Sequence, residues 1–436
     1  MDVDKIYQSR LTTADEAVKK IQSGQRVFLT GNCSVPQVVL AALVKHAPNL
    51  NNVEICQALT VGPADYVTPE LEGHLHVNTL FISGNVRKAV NEGRADFTPV
   101  LLSEFPLLFK NGYLPIDVAL VHLSPPDKHG YCSFGLENGL TKTPSESAKL
   151  IIAEVNEQMP RTLGDSFIHI SRIDCIVPVN YPMAEMAMGA EKPDETTEKI
   201  AGYIADLIPD GATIQTGIGA IPDAVLKLLH HKHDLGVHSE LISDGVIDMV
   251  EAGVITNMRK SIHRGKISAG FVIGTRRLYK WIDDNPMLEL RPTEYINDPF
   301  VIAQNDRMVA LNSAIEVDLT CQVCSDSIGP KFYSGVGGQL DFIYGASRSK
   351  GGVPIIAMPS TTSSRDGQLI SKIVSMLKQG AGVVTTRNHV HYVVTEYGVA
   401  DLYGKSVRQR TLALIDIAHP DFRTDLKREA ADLHYI

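Results

Sequence analysis

The sequence lacks long apolar runs, has few aromatic residues and carries no excess of positive charge. No stretch of the 436 residues approaches the roughly 18 uninterrupted apolar residues that a membrane-spanning helix requires, so we expect no membrane partner. Aromatic residues make up 6% of the chain, with a single Trp, and the net charge is −9. This composition disfavours base stacking and a broad attraction to phosphates, so we expect no nucleic-acid partner.

Cysteine is also sparse, with six residues scattered along the chain. Cys321 and Cys324 are closely spaced, but no second Cys or His pair with the spacing of a zinc site follows them, so we expect no metal. The first five residues show no basic start with an apolar segment behind it, and therefore predict no secretory signal. Scattered thiols without such a signal are typical of a reducing compartment, which predicts a cytoplasmic location.

An internal repeat is the first positive signal. Residues 21–43 contain an apolar strand, a glycine turn and an apolar segment that starts near a proline, and residues 208–229 repeat this order. A second strand follows each copy, at residues 52–55 and 238–241. Two copies of a strand-turn-helix-strand opening predict an α/β fold: two similar open domains with mainly parallel sheets, related by internal duplication.

The chain is too long for one ordinary domain, and the repeat places the division between its copies. Prolines and a charged stretch punctuate residues 178–199, so we predict domains at residues 1–185 and 186–436. Further strands are predicted at residues 118–123, 150–155, 353–358 and 392–395. Helices are predicted at residues 14–21, 370–377 and 406–417.

Two glycine clusters, residues 217–219 and 335–338, are the strongest candidates for ligand contact. Glycine allows a positive φ and a close approach of a ligand to the backbone, and N–H groups at a helix start favour an anion. Neither cluster matches a dinucleotide fingerprint, because Pro222 stands where a third glycine should recur, and neither ends in the Lys-Ser/Thr of a triphosphate loop. A tight turn without any ligand remains the alternative for each cluster.

Glu240 is the candidate nucleophile, because it lies at the end of the second strand of the second copy. Reactive groups in open α/β sheets gather at the carboxyl ends of strands, which would place Glu240 on the same edge as the turn at Gly217. A solvated or ion-paired acid is the alternative. Glu54 is predicted to hold the equivalent position in the first copy, but the turn there has a single glycine, Gly31, which favours Glu240.

Three motifs together, residues 215–225, 238–245 and 334–342, closely resemble the acetyl-CoA hydrolase/transferase family, and the resemblance extends over nearly the whole chain. It implies an active site in the cleft between two similar α/β domains, the second of which carries the catalytic Glu240. It also implies a homodimer or a higher homo-oligomer.

The resemblance further implies covalent catalysis. Glu240 would attack the acyl-CoA thioester, and the released CoA would return to form a glutamyl-CoA thioester, with peptide N–H groups of the glycine turns as oxyanion donors. The positions implied to bind coenzyme A lie in both glycine turns, directly after the first turn, and at two separate positions. They are Gly217, Ile218, Gly219, Ala220, Ile221, Ile315, Gly337, Gly338 and Arg365.

The expected activity is therefore a ping-pong transfer of coenzyme A between a short-chain acyl-CoA and a carboxylate. The expected carboxylates are 4-hydroxybutyrate, butyrate and acetate, and coenzyme A would take part both as substrate and as the covalent intermediate. Two alternatives remain open at this point. One is an acyl-CoA hydrolase that uses the same Glu240, and the other is a non-catalytic protein that binds coenzyme A.

Overall fold

The structure is a computed structural model that describes residues 3–187, 192–217, 219–364 and 366–436. The chain divides into two compact units, each built from segments that are separated in the sequence. Unit 1 contains Met1–Met186, Glu240–Asp244 and Ser268–Ile296, and unit 2 contains Ala187–Ser239, Gly245–Ile267 and Asn297–Ile436. The predicted division of the duplicated domains at residue 185 stays a prediction.

The first half of the chain contains nine strands and six α-helices among the described residues. The strands are β1 Arg26–Leu29, β2 Val53–Ala58, β3 Leu75–Phe81, β4 Ala95–Phe97, β5 Val118–Leu123, β6 Tyr131–Ser133, β7 Leu150–Asn156, β8 Phe167–His169 and β9 Cys175–Val179. The helices are α1 Val3–Arg10, α2 Ala14–Val18, α3 Gln37–His46, α4 Arg87–Asn91, α5 Phe105–Lys110 and α6 Lys142–Ser147.

The second half, from residue 192, contains the remaining elements. Its strands are β10 Thr213–Thr216, β11 Gly236–Ile242, β12 Ile267–Val272, β13 Leu288–Leu290, β14 Met308–Ser313, β15 Glu316–Asp318, β16 Val323–Cys324, β17 Ser327–Ile328, β18 Lys331–Phe332, β19 Val353–Ala357, β20 Thr361–Ser363, β21 Leu369–Ser371, β22 Ile373–Val374, β23 Tyr392–Thr395 and β24 Gly398–Asp401. Its helices are α7 Glu195–Leu207, α8 Ala220–Leu228, α9 Gly245–Glu251, α10 Arg276–Ile282, α11 Thr293–Ile296, α12 Pro299–Ile302, α13 Gln339–Arg348, α14 Val407–Asp416 and α15 Pro420–Asp432. Single 3₁₀ turns occur at Ala47–Asn49, Asp65–Val67, Pro69–Leu71, Ile170–Arg172 and Leu229–His231.

Unit 1 is built on a parallel sheet with the strand order β4-β3-β2-β1-β5-β7-β9. Strand β5 is buried at every residue and β7 at all but its first, as expected for central parallel strands that are covered on both faces. Unit 1 also holds β12 from Ser268 onward, β13 and the last three residues of β11, in the order β13-β12-β11. The end of β11 is fixed there, because the Ile273 N–H donates to the Ile242 carbonyl at 3.1 Å.

In unit 2 the strand order is β11-β10-β14-β19-β23-β24, where β11 contributes Gly236–Ser239. The pairs from β11 to β23 are parallel, and β24 adds an antiparallel strand at the edge. The predicted fold class, an α/β fold with mainly parallel sheets, is therefore confirmed. No helix in the described part of the chain is long and apolar enough to cross a membrane.

Most of the predicted elements are present. The strands at residues 118–123 and 392–395 have the predicted bounds, and those at 150–155 and 353–358 differ by one residue at the end. Helix α14 follows the prediction for residues 406–417, because Ser406 and Gln409 form a capping box at its start. Helix α2 is shorter than predicted and ends at Val18.

The helix predicted at residues 370–377 is wrong. The apolar residues at 370, 373, 374 and 377 have the spacing of a helix face, but this segment forms β21 and β22. Strand β21 pairs with β20 in an antiparallel hairpin, and β22 pairs with β15 in parallel. Three of these residues are β-branched, so pairing with neighbouring strands prevails over the helical spacing.

The predicted equivalence of Glu54 and Glu240 is also wrong, because the strand registers differ. Glu54 lies opposite Arg26, the first residue of β1, and the two side chains form an ion pair at 2.8 Å. In the second copy the first residue of β10 lies opposite Gly236, four residues before Glu240. By register, the first-copy residue that corresponds to Glu240 is Ala58.

Candidate active site

The glycine turn after β10 is held open by its backbone conformation. Gly219 has φ +122°, in the region that side-chain-bearing residues rarely adopt, and it is the N-cap of α8. A Cβ atom built on either Gly217 or Gly219 would meet no atom within 4 Å. Packing therefore does not explain the glycines, and their backbone is accessible to a ligand. Ile218, the residue between them, lies outside the described residues.

The first turn of α8 supplies the neighbouring coenzyme A positions of the prediction. Ala220 and Ile221 are its first two residues, with Ala220 exposed and Ile221 half-buried. Gly219 has no side chain and so makes no side-chain cap hydrogen bond at the start of the helix. A helix start with this character favours a negatively charged group.

The second glycine turn leads into α13 on the same sheet edge. Gly337 has φ +61° and Gly338 is the N-cap of α13. The first helical residue, Gln339, donates through Nε2 to the carbonyl of Ser313, the last residue of β14, at 2.6 Å. The start of α13 is therefore fixed to the carboxyl end of a central strand.

Ile315 follows β14 by two residues, and its N–H donates to the Cys324 carbonyl at 2.8 Å. Strands β10 and β14 are parallel neighbours, with Thr216 opposite Leu311. Their carboxyl ends, and the turn and loop that follow them, are thus adjacent. The predicted coenzyme A positions that the structure describes lie together at one edge of unit 2: Gly217, Gly219–Ile221, Ile315 and Gly337–Gly338. Arg365 lies outside the described residues.

A polar cluster that the sequence analysis missed lies at this edge. Ser360 follows β19 and donates to the Glu396 carboxylate through its N–H at 2.8 Å and its hydroxyl at 2.6 Å. Glu396 follows β23, the next strand of the sheet. The partly buried Lys372 side chain has its pKa lowered to about 8 by desolvation, against the opposing effect of the Glu396 carboxylate. The signal available in the sequence was a polar residue shortly after each of two apolar strands: Ser360 follows β19 by three residues and Glu396 directly follows β23.

Glu240 lies in β11, where it is the one residue that is not buried. The preceding Ser239 belongs to unit 2, and its hydroxyl donates to the carbonyl of Thr216 at 3.2 Å. Thr216 is the residue directly before Gly217. The backbone just before Glu240 is therefore fixed to the residue that precedes the first glycine turn. The other residues of β11 are buried.

In unit 1, strand β12 lies directly against Glu240. A Cβ atom on Gly270 would be 2.9 Å from the Glu240 carbonyl oxygen, so only glycine allows this approach. On its other side β12 receives residues 136–139: the Gly139 N–H donates to the Gly270 carbonyl at 2.9 Å, and Glu137 and Phe271 form an antiparallel bridge.

Glu137 is a second carboxyl near Glu240, and the sequence analysis did not select it. Its side chain is fully buried, accepts the Leu140 N–H at 2.8 Å and is hydrogen-bonded by Asn32 Nδ2. Burial raises the pKa of Glu137 to about 8, and the negative charge of Glu240 contributes to this rise. Asn32 is the residue after Gly31 in the first-copy turn and has φ +51°.

Two family models cover most of the chain. The N-terminal domain of acetyl-CoA hydrolase/transferase matches residues 1–184, and the C-terminal domain of the same family matches residues 274–430. The chain therefore belongs to the acetyl-CoA hydrolase/transferase family, as the three sequence motifs predicted.

Individual relatives define the branch of the family more closely. The chain is 51% identical to the 4-hydroxybutyrate coenzyme A transferase of Clostridium kluyveri, over 98% of this chain and 99% of that protein. It is 46% identical to a succinyl-CoA:acetate/propanoyl-CoA:succinate CoA transferase of Fasciola hepatica, over 97% of this chain and 87% of that protein. Among solved structures, a 4-hydroxybutyrate CoA-transferase from Porphyromonas gingivalis matches with a TM-score of 0.85 and 38% identity, covering 99% of each chain.

Proposed function

We propose that this protein transfers coenzyme A between a short-chain acyl-CoA and a carboxylate, with Glu240 as the nucleophile. The observation that carries the proposal is the position of Glu240: it is the one partly exposed residue in an otherwise buried strand. Its neighbour Ser239 is bonded to the residue before the glycine turn. The similarity to named CoA-transferases over the full length of the chain supports the same reaction class.

In the first half of the reaction, the Glu240 carboxylate attacks the thioester carbonyl of the acyl-CoA. The carbon–sulfur bond breaks, the CoA thiolate leaves, and an acyl-glutamyl anhydride remains. The thiolate then attacks the glutamyl carbonyl of the anhydride, which releases the first carboxylate and leaves a glutamyl-CoA thioester. This is covalent catalysis, in which one difficult exchange is divided into easier steps.

The second half of the reaction reverses these steps with a different carboxylate. We assign 4-hydroxybutyrate, butyrate and acetate as the exchanged acids. Each tetrahedral intermediate carries an oxyanion, and we assign its stabilisation to peptide N–H groups of the 217–219 and 337–338 turns. Removal of a single oxyanion donor costs about 3 kcal/mol in enzymes of known mechanism. No metal is needed for any of these steps.

Hydrolysis by the same Glu240 is the second candidate, because the family contains both hydrolases and transferases. Incubation with butyryl-CoA, with and without acetate, separates the two. A transferase forms acetyl-CoA only when acetate is present and releases little free CoA without it, whereas a hydrolase releases free CoA at a similar rate in both conditions. Glu240→Gln should abolish either activity, and unchanged turnover in that variant would contradict the proposal.

A further inference from the structure

The buried carboxyl of Glu137 is not used in the reaction described above, yet the fold fixes it firmly. Both of its oxygens accept hydrogen bonds, from the Leu140 N–H at 2.8 Å and from the Asn32 side chain. Both Glu137 and Asn32 are fully buried. An acid that is enclosed to this degree costs free energy unless it is neutral or well paired, and no basic group is among its hydrogen-bond partners.

The backbone also fixes the relation of Glu137 to Glu240. Strand β12 pairs with residues 136–139 on one side, and its Gly270 contacts the Glu240 carbonyl on the other side. Gly139 and Gly270 face each other closely, since a Cβ atom on Gly139 would lie 3.1 Å from the Gly270 Cα. The two glycines bring the Glu137 segment directly against the strand that supports Glu240.

Burial and the charge of Glu240 favour the neutral form of Glu137, and they outweigh the Leu140 hydrogen bond, which favours the carboxylate. Glu240 is the titratable group that acts on it electrostatically, and Glu137 itself acts on a second titratable neighbour, Cys33. Burial raises the pKa of the Cys33 thiol, so this thiol adds no charge at neutral pH. Asn32 Oδ1 is buried without a hydrogen-bond partner among the described residues, and a 180° turn of the amide would let it accept the proton of a neutral Glu137.

We propose that Glu137 is a positioning residue for Glu240: the two carboxyls share one negative charge, which resides on Glu240 while Glu137 remains a hydrogen-bonded neutral acid. This inference rests on the proposed function of Glu240. Glu137 places no second negative charge in the path of the anionic substrates, and it keeps the charge of the pair at the partly exposed position.

The reaction cycle changes the environment of Glu137. In the free enzyme Glu240 is ionised, and its charge opposes the ionisation of Glu137. In the glutamyl-CoA thioester Glu240 is neutral, so the opposition disappears and the pKa of Glu137 falls. Removal of one of two interacting like charges lowers the pKa of the remaining acid, and for sites that titrate as a pair the change is about one unit or more.

Ping-pong kinetics separates the two states of the enzyme. The kcat/KM for acyl-CoA reports on the free enzyme, and the kcat/KM for the carboxylate reports on the thioester form. We expect both to fall at alkaline pH as Glu137 ionises. The fall for the carboxylate should begin about one pH unit lower than the fall for acyl-CoA.

The experiment measures both profiles between pH 7 and 9.5 for the wild type, Glu137→Gln and Cys33→Ala. Glu137→Gln should abolish both alkaline falls, and Cys33→Ala, the control for the other titratable neighbour, should retain them. Coincident falls in the wild type, or falls that persist in Glu137→Gln, would overturn the inference. Absence of any coenzyme A transfer would instead contradict the proposed function, so the two failures are distinguishable, and the wild-type profiles test the inference even if the Gln variant does not fold.

Discussion

In the first opening, residues 26–58, a Cβ atom on Gly31 would lie 2.1 Å from the Ala58 carbonyl oxygen, whereas in the second, residues 213–242, a Cβ atom on Gly217 would meet nothing within 4 Å. The first glycine is required by packing of the turn against β2, and the second is not. The turn glycine therefore has a structural role in the first copy, whereas the turn of the second copy is accessible.

The helix starts of the two openings differ in the same way. At the start of α3, the Val39 N–H donates to a Glu154 carboxyl oxygen at 2.6 Å, so a carboxyl of the protein itself occupies the position. At the start of α8, Gly219 has no side chain that could do this. A helix N-terminus attracts negative charge. In the first copy a carboxyl from β7 is hydrogen-bonded there, whereas the N-cap residue of α8 contributes no side chain.

The largest difference should appear when the two strand acids are exchanged for amides. Glu240→Gln removes the nucleophile and should lower the CoA-transfer rate by at least ~10³-fold. Glu54→Gln removes one partner of an ion pair with Arg26 at the start of β2 and should change transfer by less than about twofold, with a stability loss of roughly 1 kcal/mol or less. Steady-state rates and urea midpoints measure both effects, and equal losses of activity would show that the register comparison does not locate the nucleophile.

Replacement of the two turn glycines by alanine should lower protein stability at Gly31 and weaken acyl-CoA binding at Gly217. Gly31→Ala forces a Cβ atom into backbone atoms of Ala58 and Leu59 and should destabilise the fold by about 1–3 kcal/mol. Gly217→Ala meets open space and should leave the melting temperature unchanged while raising the KM for acyl-CoA. Thermal unfolding and kinetics on the same preparations test this. A stable Gly31→Ala, or an unchanged KM in Gly217→Ala, would remove the contrast between the turns.

The buried carboxyl of Glu137, which is hydrogen-bonded to Asn32 in the first-copy turn, predicts that stability depends on pH. Burial raises the pKa of Glu137 to about 8, so the folded protein keeps a proton that the unfolded chain loses above its ordinary pKa of about 4.3. This residue therefore lowers stability progressively as pH rises from about 4.3 to 8. Glu137→Gln should flatten that decline, so its melting temperature relative to the wild type should rise by a few degrees between pH 5 and 8. A constant difference across this range would contradict a neutral Glu137.

The smallest effect is expected from removing the N-cap of the helix that precedes each opening. Asp194 caps α7 by accepting the Thr197 N–H at 2.7 Å, and Thr13 caps α2 by accepting the Glu16 N–H at 3.3 Å. Asp194→Ala should cost about 1 kcal/mol and Thr13→Ala less, because α7 is longer and its cap bond is shorter. Backbone hydrogen bonding lowers the pKa of Asp194, so its contribution is present at neutral pH and is lost as pH falls through that lowered pKa. Urea unfolding at pH 7 and pH 3 checks both the order and the loss.

Local signals in the sequence predicted local structure well. The helix predicted at residues 406–417 is present as α14, and the glycine turns, the fold class and the family followed from short motifs. What failed depended on pairing between distant segments. Residues 370–377 became strands because β20 and β15 pair with them, and Glu54 was matched to Glu240 because the register of β2 cannot be read from spacing.

The candidate site likewise contains residues that the sequence could predict and a residue that it could not. The glycine turns and Glu240 carry their own local patterns and could be selected from the sequence. Glu137 becomes a candidate because it is buried and because Asn32, which lies 105 residues away, is hydrogen-bonded to it. Its segment also pairs with a strand that begins at Ile267. No pattern around residue 137 reports those contacts, so only the three-dimensional structure shows them.

Mass analysis of peptides after exposure of the enzyme to butyryl-CoA, without any added carboxylate, tests the central claim most directly. We expect a gain of one coenzyme A less one water on the peptide that contains Glu240, reversed by acetate and absent in Glu240→Gln. An unmodified Glu240 peptide in a preparation that transfers coenzyme A, or the same mass gain on a different acidic residue, would contradict it.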